Sequence, residues 1–85
     1  MNNEIYWIWI KRLRNGKYNV FIYDLAEGIR CETDIESKSL NVACNAAIEI
    51  ADAFAKLGGN VAIVTSDKAA LERIKRKSAY KGVVQ

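Results

Sequence analysis

Eighty-five residues, 51% of them hydrophobic, suit a single domain, 1–85, that buries about 60–65% of its unfolded surface without a metal or disulfide staple. Histidine is absent and cysteine occurs only twice, which removes the usual imidazole base and argues against a zinc site. The net charge of +3 conceals a segregation: residues 24–52 hold seven acids against Arg30 and Lys38, while the rest of the chain holds eleven bases against three acids.

The N-terminal segment has neither a basic n-region nor a small-residue cleavage site, and no apolar run is long enough to span a bilayer. The expectation is a cytoplasmic protein without membrane contact, in which Cys31 and Cys44 are free, buried thiols. Residues 5–13 (IYWIWIKRL) and 18–25 (YNVFIYDL) are rich in β-formers and flank Asn15-Gly16. That dipeptide predicts a two-residue type I′ hairpin turn, with positive φ at both positions. The turn sets Arg14 opposite Lys17, Ile10 opposite Phe21 and Ile8 opposite Tyr23. One hairpin face then carries Ile5, Trp7, Trp9, Tyr18, Val20 and Ile22. The other carries Tyr6, Ile8, Ile10, Phe21, Tyr23 and Leu25. Both faces are apolar, as in a central strand pair covered on two sides.

Residues 26–28 form a turn, and 29–36 (IRCETDIE) alternate apolar and charged without a fault. That alternation marks a half-buried third strand. In 39–57 (SLNVACNAAIEIADAFAKL), wound as a helix, Asn41, Asn45, Glu49, Asp52 and Lys56 fall in one narrow stripe. Leu40, Ala43, Ala47, Ile50, Phe54 and Leu57 lie opposite and are expected to face the core. The alanines favour helix and let another backbone come close. Ser37 or Ser39 supplies the N-cap, and Gly58-Gly59 the positive-φ residue that ends the helix. Residues 60–65 (NVAIVT) read as a buried strand. Ser66 is expected to cap a second helix over 67–77, with Ala70, Leu71 and Ile74 inward and a Glu72–Arg76 pair outward. The tail, 80–85, adds a short edge strand in the fullest reading, so the order is β-β-β-α-β-α(-β).

Two local patterns link this order to a known family. Ser39-Leu40-Asn41-Val42-Ala43-Cys44-Asn45-Ala46-Ala47 stands where ribonuclease H-like proteins enter their first long helix with Thr-Asn-Asn-x-Ala-Glu-x-x-Ala. Thr65-Ser66-Asp67 stands where their fourth strand ends in Thr-Asp-Ser. The chain thus resembles the ribonuclease H fold, and the resemblance implies an α/β architecture with a mixed sheet of order 3-2-1-4(-5). Right-handed crossovers then place both helices on one face. The family's carboxylates hold divalent metal ions that activate water. Here Cys44 stands at the helix glutamate, Ser66 at the strand-four aspartate, and the first strand has no acid. The expectation is no metal, no cofactor and no nuclease activity, with Asp67 supporting the second helix as an N1 acid. A weaker likeness connects the meander and helix with HicB-like antitoxins, which plug a toxin, although the second helix extends beyond that unit.

No Gly-rich phosphate loop, Cys-His pair or Ser-His-Asp set is present. The chain therefore reads as a small non-catalytic interaction protein rather than an enzyme, forming a homodimer or binding another protein. Apolar surplus motivates this: the main helix has an apolar arc of about 240°, against the ≳100° that a surface helix needs. In a full ribonuclease H fold a later helix shields the second sheet face. The uncovered face is expected to be the tryptophan side, with Trp7, Trp9, Tyr18, Val20 and Ile22 as the protein interface and Lys11 and Asp24 beside them. The alternative is a nucleic-acid-binding module. Lys11, Arg12, Arg14 and Lys17 at the hairpin tip and Arg73, Lys75, Arg76 and Lys77 on the second helix would contact phosphates or an acidic partner, while hairpin aromatics stack on bases. A plainer reading makes these a solvated tip and bases that complement a helix C-terminus.

Overall fold

The computed structural model describes residues 5–77 and 82–83. Strands β1 (Ile5–Arg12), β2 (Tyr18–Asp24) and β3 (Ile29–Ser37) make an antiparallel meander. Helix α1 (Leu40–Lys56) returns the chain so that β4 (Asn60–Thr65) lies parallel to β1, and α2 (Lys68–Lys77) follows. The result is a small α/β fold with a mixed sheet of order β3-β2-β1-β4. A two-residue β5 (Gly82–Val83) pairs parallel with β4 at Ile63 and Val64. The remainder of the expected tail strand, 80–85, lies outside the described residues.

The hairpin departs from the sequence reading at its tip. Gly16 has a φ of 82°, but Asn15 does not share it: among the described residues only glycines have positive φ. The Gly16 N–H donates to the Leu13 carbonyl at 3.0 Å, and the Leu13 N–H donates to the Lys17 carbonyl at 2.7 Å. This is a three-residue loop ending in a left-handed glycine, the G1-bulge hairpin instead of type I′. The extra loop residue moves the register by one. Ile8 faces Ile22, Ile10 faces Val20, Trp7 faces Tyr23 and Trp9 faces Phe21. Because a one-residue slip exchanges the faces of a strand, Tyr18, Val20 and Ile22 join Ile8, and Phe21 and Tyr23 join the tryptophans. Asp24, paired with Tyr6, also leaves the tryptophan side.

Both helices cover the Ile8 face. Ile8, Ile10, Val20 and Ile63 are buried beneath Ala43, Cys44, Ala47 and Ala51 of α1 and Ala70 and Ile74 of α2. The small side chains of α1 bring its backbone close to the sheet. Its fully buried residues are Ala43, Cys44, Ala47 and Ala51, with Cys44 buried as expected. Leu57, 78% exposed, is the C-cap and no part of the core. Just beyond it Gly58 has a φ of 89°. The Gly58 N–H reaches the Ala55 carbonyl and the Gly59 N–H the Phe54 carbonyl at 3.1 Å, the bond pair of a Schellman motif. At the other end Ser39 is the cap, its side chain accepting from the Val42 N–H at 3.3 Å.

Asp67, one residue later than expected, caps α2. Its Oδ1 accepts from the Ala70 N–H at 3.0 Å and its carbonyl from the Leu71 N–H at 3.0 Å. Ser66 is exposed in the turn before it. The cap is tied to the sheet through Thr65, whose buried hydroxyl donates to the Ile10 carbonyl at 2.9 Å and accepts from the Asp67 N–H at 3.1 Å. Tyr18 completes the link, its hydroxyl donating to Asp67 Oδ2 at 3.4 Å. The expected outward pair is present, with Arg76 3.5 Å from Glu72.

Candidate functional site

With the helices on the Ile8 face, the opposite face of the sheet has only its own side chains above it among the described residues. Directly paired residues share a face, so the register assembles Trp7, Trp9 and Lys11 of β1, Asn19, Phe21 and Tyr23 of β2, and Arg30, Glu32 and Glu36 of β3. Ala62 and Val64 of β4 lie beside Trp7 and Trp9. The Trp9 and Tyr23 rings are 5.4 Å apart and tilted by 38°. Phe21, only 5% exposed, is shared by two cations: Lys11 Nζ lies 5.8 Å and Arg30 Cζ 5.7 Å from its centroid, within cation–π reach. Trp9 Nε1 and Asn19 Oδ1 are buried there without hydrogen-bond partners. Each such atom costs about 1–3 kcal/mol of desolvation, a cost borne where the aromatic cluster is densest.

Of the five interface residues expected from sequence, only Trp7 and Trp9 lie on this face. Val20 is fully buried opposite Ile10 on the helix-covered face, and Ile22, opposite Ile8, packs at the edge of the same core. Tyr18 faces α2, and burial followed by the nearby Asp67 carboxylate pushes its phenol pKa up. The physical cause is the three-residue loop, which reverses β2 relative to the two-residue reading. The face gains Phe21, Tyr23 and Arg30 in their place. Arg30 was legible as lying opposite Cys31 in the alternation of the third strand, but its position over Phe21 depends on the register.

The basic residues do not form one surface. Lys11 is on the open face, and Arg12, opposite Tyr18, is on the helix side. Arg14 is exposed in the loop and Lys17 is half-buried at its base. On α2, Arg73 and Lys77 both donate to Asn41 Oδ1, and Lys77 also reaches Asn45 Oδ1. Arg76 is paired with Glu72, and Lys75 is exposed. Part of the asparagine stripe on α1 thus serves to hold cations of α2.

Cys44 is fully buried, its Sγ 4.0 Å from the Ala70 carbonyl, and Asp67 has both oxygens engaged. Among the described residues no three His, Cys, Asp or Glu side chains gather closely enough to hold a metal ion. No helix among them is long and apolar enough to cross a membrane.

The two thiols are free but unequal. Cys31 is exposed, contrary to the expectation of a buried thiol, because α1 does not reach the first half of β3. Burial pushes the Cys44 thiol pKa up, with Arg73 and Lys77 pulling partly back. A maleimide in native buffer is therefore expected to label one thiol per chain rapidly, mapped by mass spectrometry to Cys31, and Cys44 only after denaturation. Equal rates at the two sites would contradict the packing of α1 on the sheet.

No protein-family model, no curated protein and no solved structure matches the chain. The functional reading rests on the fold and its surfaces.

Proposed function

We propose that this chain is a small non-catalytic interaction protein that engages another protein, or a second copy of itself, through the open face of its sheet. One observation carries the reading: both helices pack on the Ile8 side, leaving Trp7, Trp9, Phe21 and Tyr23 on a face with no element laid over it among the described residues. Aromatic residues are enriched where proteins meet, and tryptophan is a frequent anchor there. In the wider reading the architecture is a ribonuclease H-like sheet extended by a fifth strand. The order β3-β2-β1-β4 with both helices on one face supports this. The buried Cys44 and the exposed Ser66 at the family's carboxylate positions support a domain without nuclease chemistry.

The test compares wild type with a Trp7→Ser/Trp9→Ser variant, by sedimentation across micromolar concentrations and as bait against cell extract. The double variant is expected to keep the wild-type circular dichroism and to lose the extract proteins that wild type captures, together with any assembly larger than a dimer. Unfolding would instead place the tryptophans in the core, and equal capture by both proteins would move the contact off this face.

A second reading has its own observation. Lys11 and Arg30 flank Phe21 beside the Trp9–Tyr23 pair, a juxtaposition of cations and rings that suits single-stranded nucleic acid. Glu32 and Glu36 on the same face repel phosphates, so protein binding takes precedence. Tight, steeply salt-dependent binding of a labelled oligonucleotide would reverse that order.

A further inference from the structure

We infer that β3 is a self-association edge: two copies of this chain pair antiparallel along it, about a two-fold axis at Cys31, joining their sheets into one. The contact is the backbone edge of β3, with Arg30 and Glu32 at the margin of the open face, and it does not need the tryptophans. β3 is the outermost strand, bonded among the described residues only to β2, and such an edge presents a row of N–H and C=O groups ready to template another strand. Edges are normally blunted by charged side chains, lysine above all, by proline or by a bulge, and the charges of β3 would repel most strands while Arg30 and Glu32 complement a second copy. β3 contains neither proline nor lysine. Its ladder to β2 is continuous over residues 29–32, and the irregularity comes only after Glu32. That regular half is also the uncovered half: Ile29 is 53% exposed, and Arg30, Cys31 and Glu32 are exposed with it.

Charge selects the occupant and the register. In a two-fold antiparallel pair, residues directly opposite share a face, and like charges there are destabilising. A centre at Cys31 sets Arg30 opposite Glu32 of the second copy, and by symmetry Glu32 opposite its Arg30. The pairing runs from Ile29 to Thr33 and stops before the 25–28 turn, so Asp34 and Glu36 fall outside it and no like charges oppose each other. Moving the centre one residue back sets Arg30 on Arg30, and one residue forward sets Glu32 on Glu32. A centre at Thr33 sets Glu32 on Asp34, and a centre at Ile29 runs the pairing into the 25–28 turn. Only one register is self-complementary, and it also lays Thr33 of the second copy beside the exposed Ile29.

Cross-linking tests this directly. Opposed Cα atoms in an antiparallel pair are about 4.5–5.5 Å apart, within disulfide range. Mild oxidation of the native protein with diamide is therefore expected to give a covalent dimer through Cys31 alone, identified as the linked peptide. Arg30→Glu and Glu32→Arg each set like charges opposite one another twice, and each is expected to lower the cross-link yield and the sedimentation dimer about tenfold. The double reversal Arg30→Glu/Glu32→Arg restores both. That rescue separates strand pairing from loss of the Arg30–Phe21 contact, which the double variant also lacks. Single variants that cross-link like wild type, a double variant as poor as the singles, or a wild type that stays monomeric would each overturn the proposal. A dimer that survives both charge changes but dissolves in Trp7→Ser/Trp9→Ser would overturn it while upholding the open face as the contact.

Discussion

Ile8→Ala is expected to be among the most damaging single changes in this fold, a loss of about 2–5 kcal/mol. Ile8 is fully buried, with Ile22 beside it on β2 and Ile63 on β4. The roof above it is made of Ala43, Cys44, Ala47 and Ala51, side chains too short to swing into the space that three lost carbons would leave. The cavity term therefore adds to the lost transfer energy instead of relaxing away. A domain of this size has about 4–13 kcal/mol in all, so the variant sits near the edge of folding. Urea titration followed by circular dichroism should show a lower midpoint at an unchanged slope. A loss under about 1 kcal/mol would show that α1 settles onto the sheet more readily than its packing implies.

The opposite change, Ala47→Leu, is expected to cost about 1–3 kcal/mol or more by overfilling. Ala43, Ala47 and Ala51 recur at four-residue intervals and are each fully buried, so together they set how near α1 lies to the strands. A leucine in the middle of that line must either leave its rotamer or lift the helix, which loosens contacts along its length. The thermal midpoint should fall by about 4–8 °C per kcal/mol. Ala53→Leu, at an exposed position of the same helix, is the control and should stay within about 0.5 kcal/mol. Matching midpoints for the two variants would mean that Ala47 has free space above the sheet.

These two expectations draw on a feature legible before any coordinates: the alanine-rich helix reads as one that lets another backbone come close. The strand positions were legible too, because hydrophobic period and turn residues mark them locally. The register was not. Asn-Gly is compatible with a two-residue loop having both φ angles positive and with a three-residue loop in which glycine alone is left-handed. The Lys17 N–H, bonded to Asn15 Oδ1 at 2.9 Å, belongs to the second arrangement. That one residue decides whether Val20 or Phe21 accompanies the tryptophans. Both are apolar, so the alternation within β2 could not discriminate. The exposure of Cys31 was illegible for a different reason: alternation shows which side of β3 it occupies, but the reach of α1 across the sheet is a tertiary property. The α2 cap was nearly legible, since Ser66 and Asp67 are both good capping residues, and the bond from Tyr18 at 3.4 Å favours the second.

The placement of β4 beside β1 also governs how the chain is made. β1 finds β2 across a three-residue loop, but its other neighbour comes from far along the chain: the Thr65 hydroxyl that bonds the Ile10 carbonyl lies 55 positions away. Contacts of such separation form late, because the loop they close must be ordered first. On the ribosome the N-terminal strands emerge first. A nascent chain that stops short of Thr65 holds its most apolar strand, IYWIWI, with one side unbonded. The strand that ends at the centre of the finished sheet thus begins as a raw edge, and the interval before residues 60–65 arrive is when this apolar strand is most exposed to capture by chaperones or by other unfinished chains.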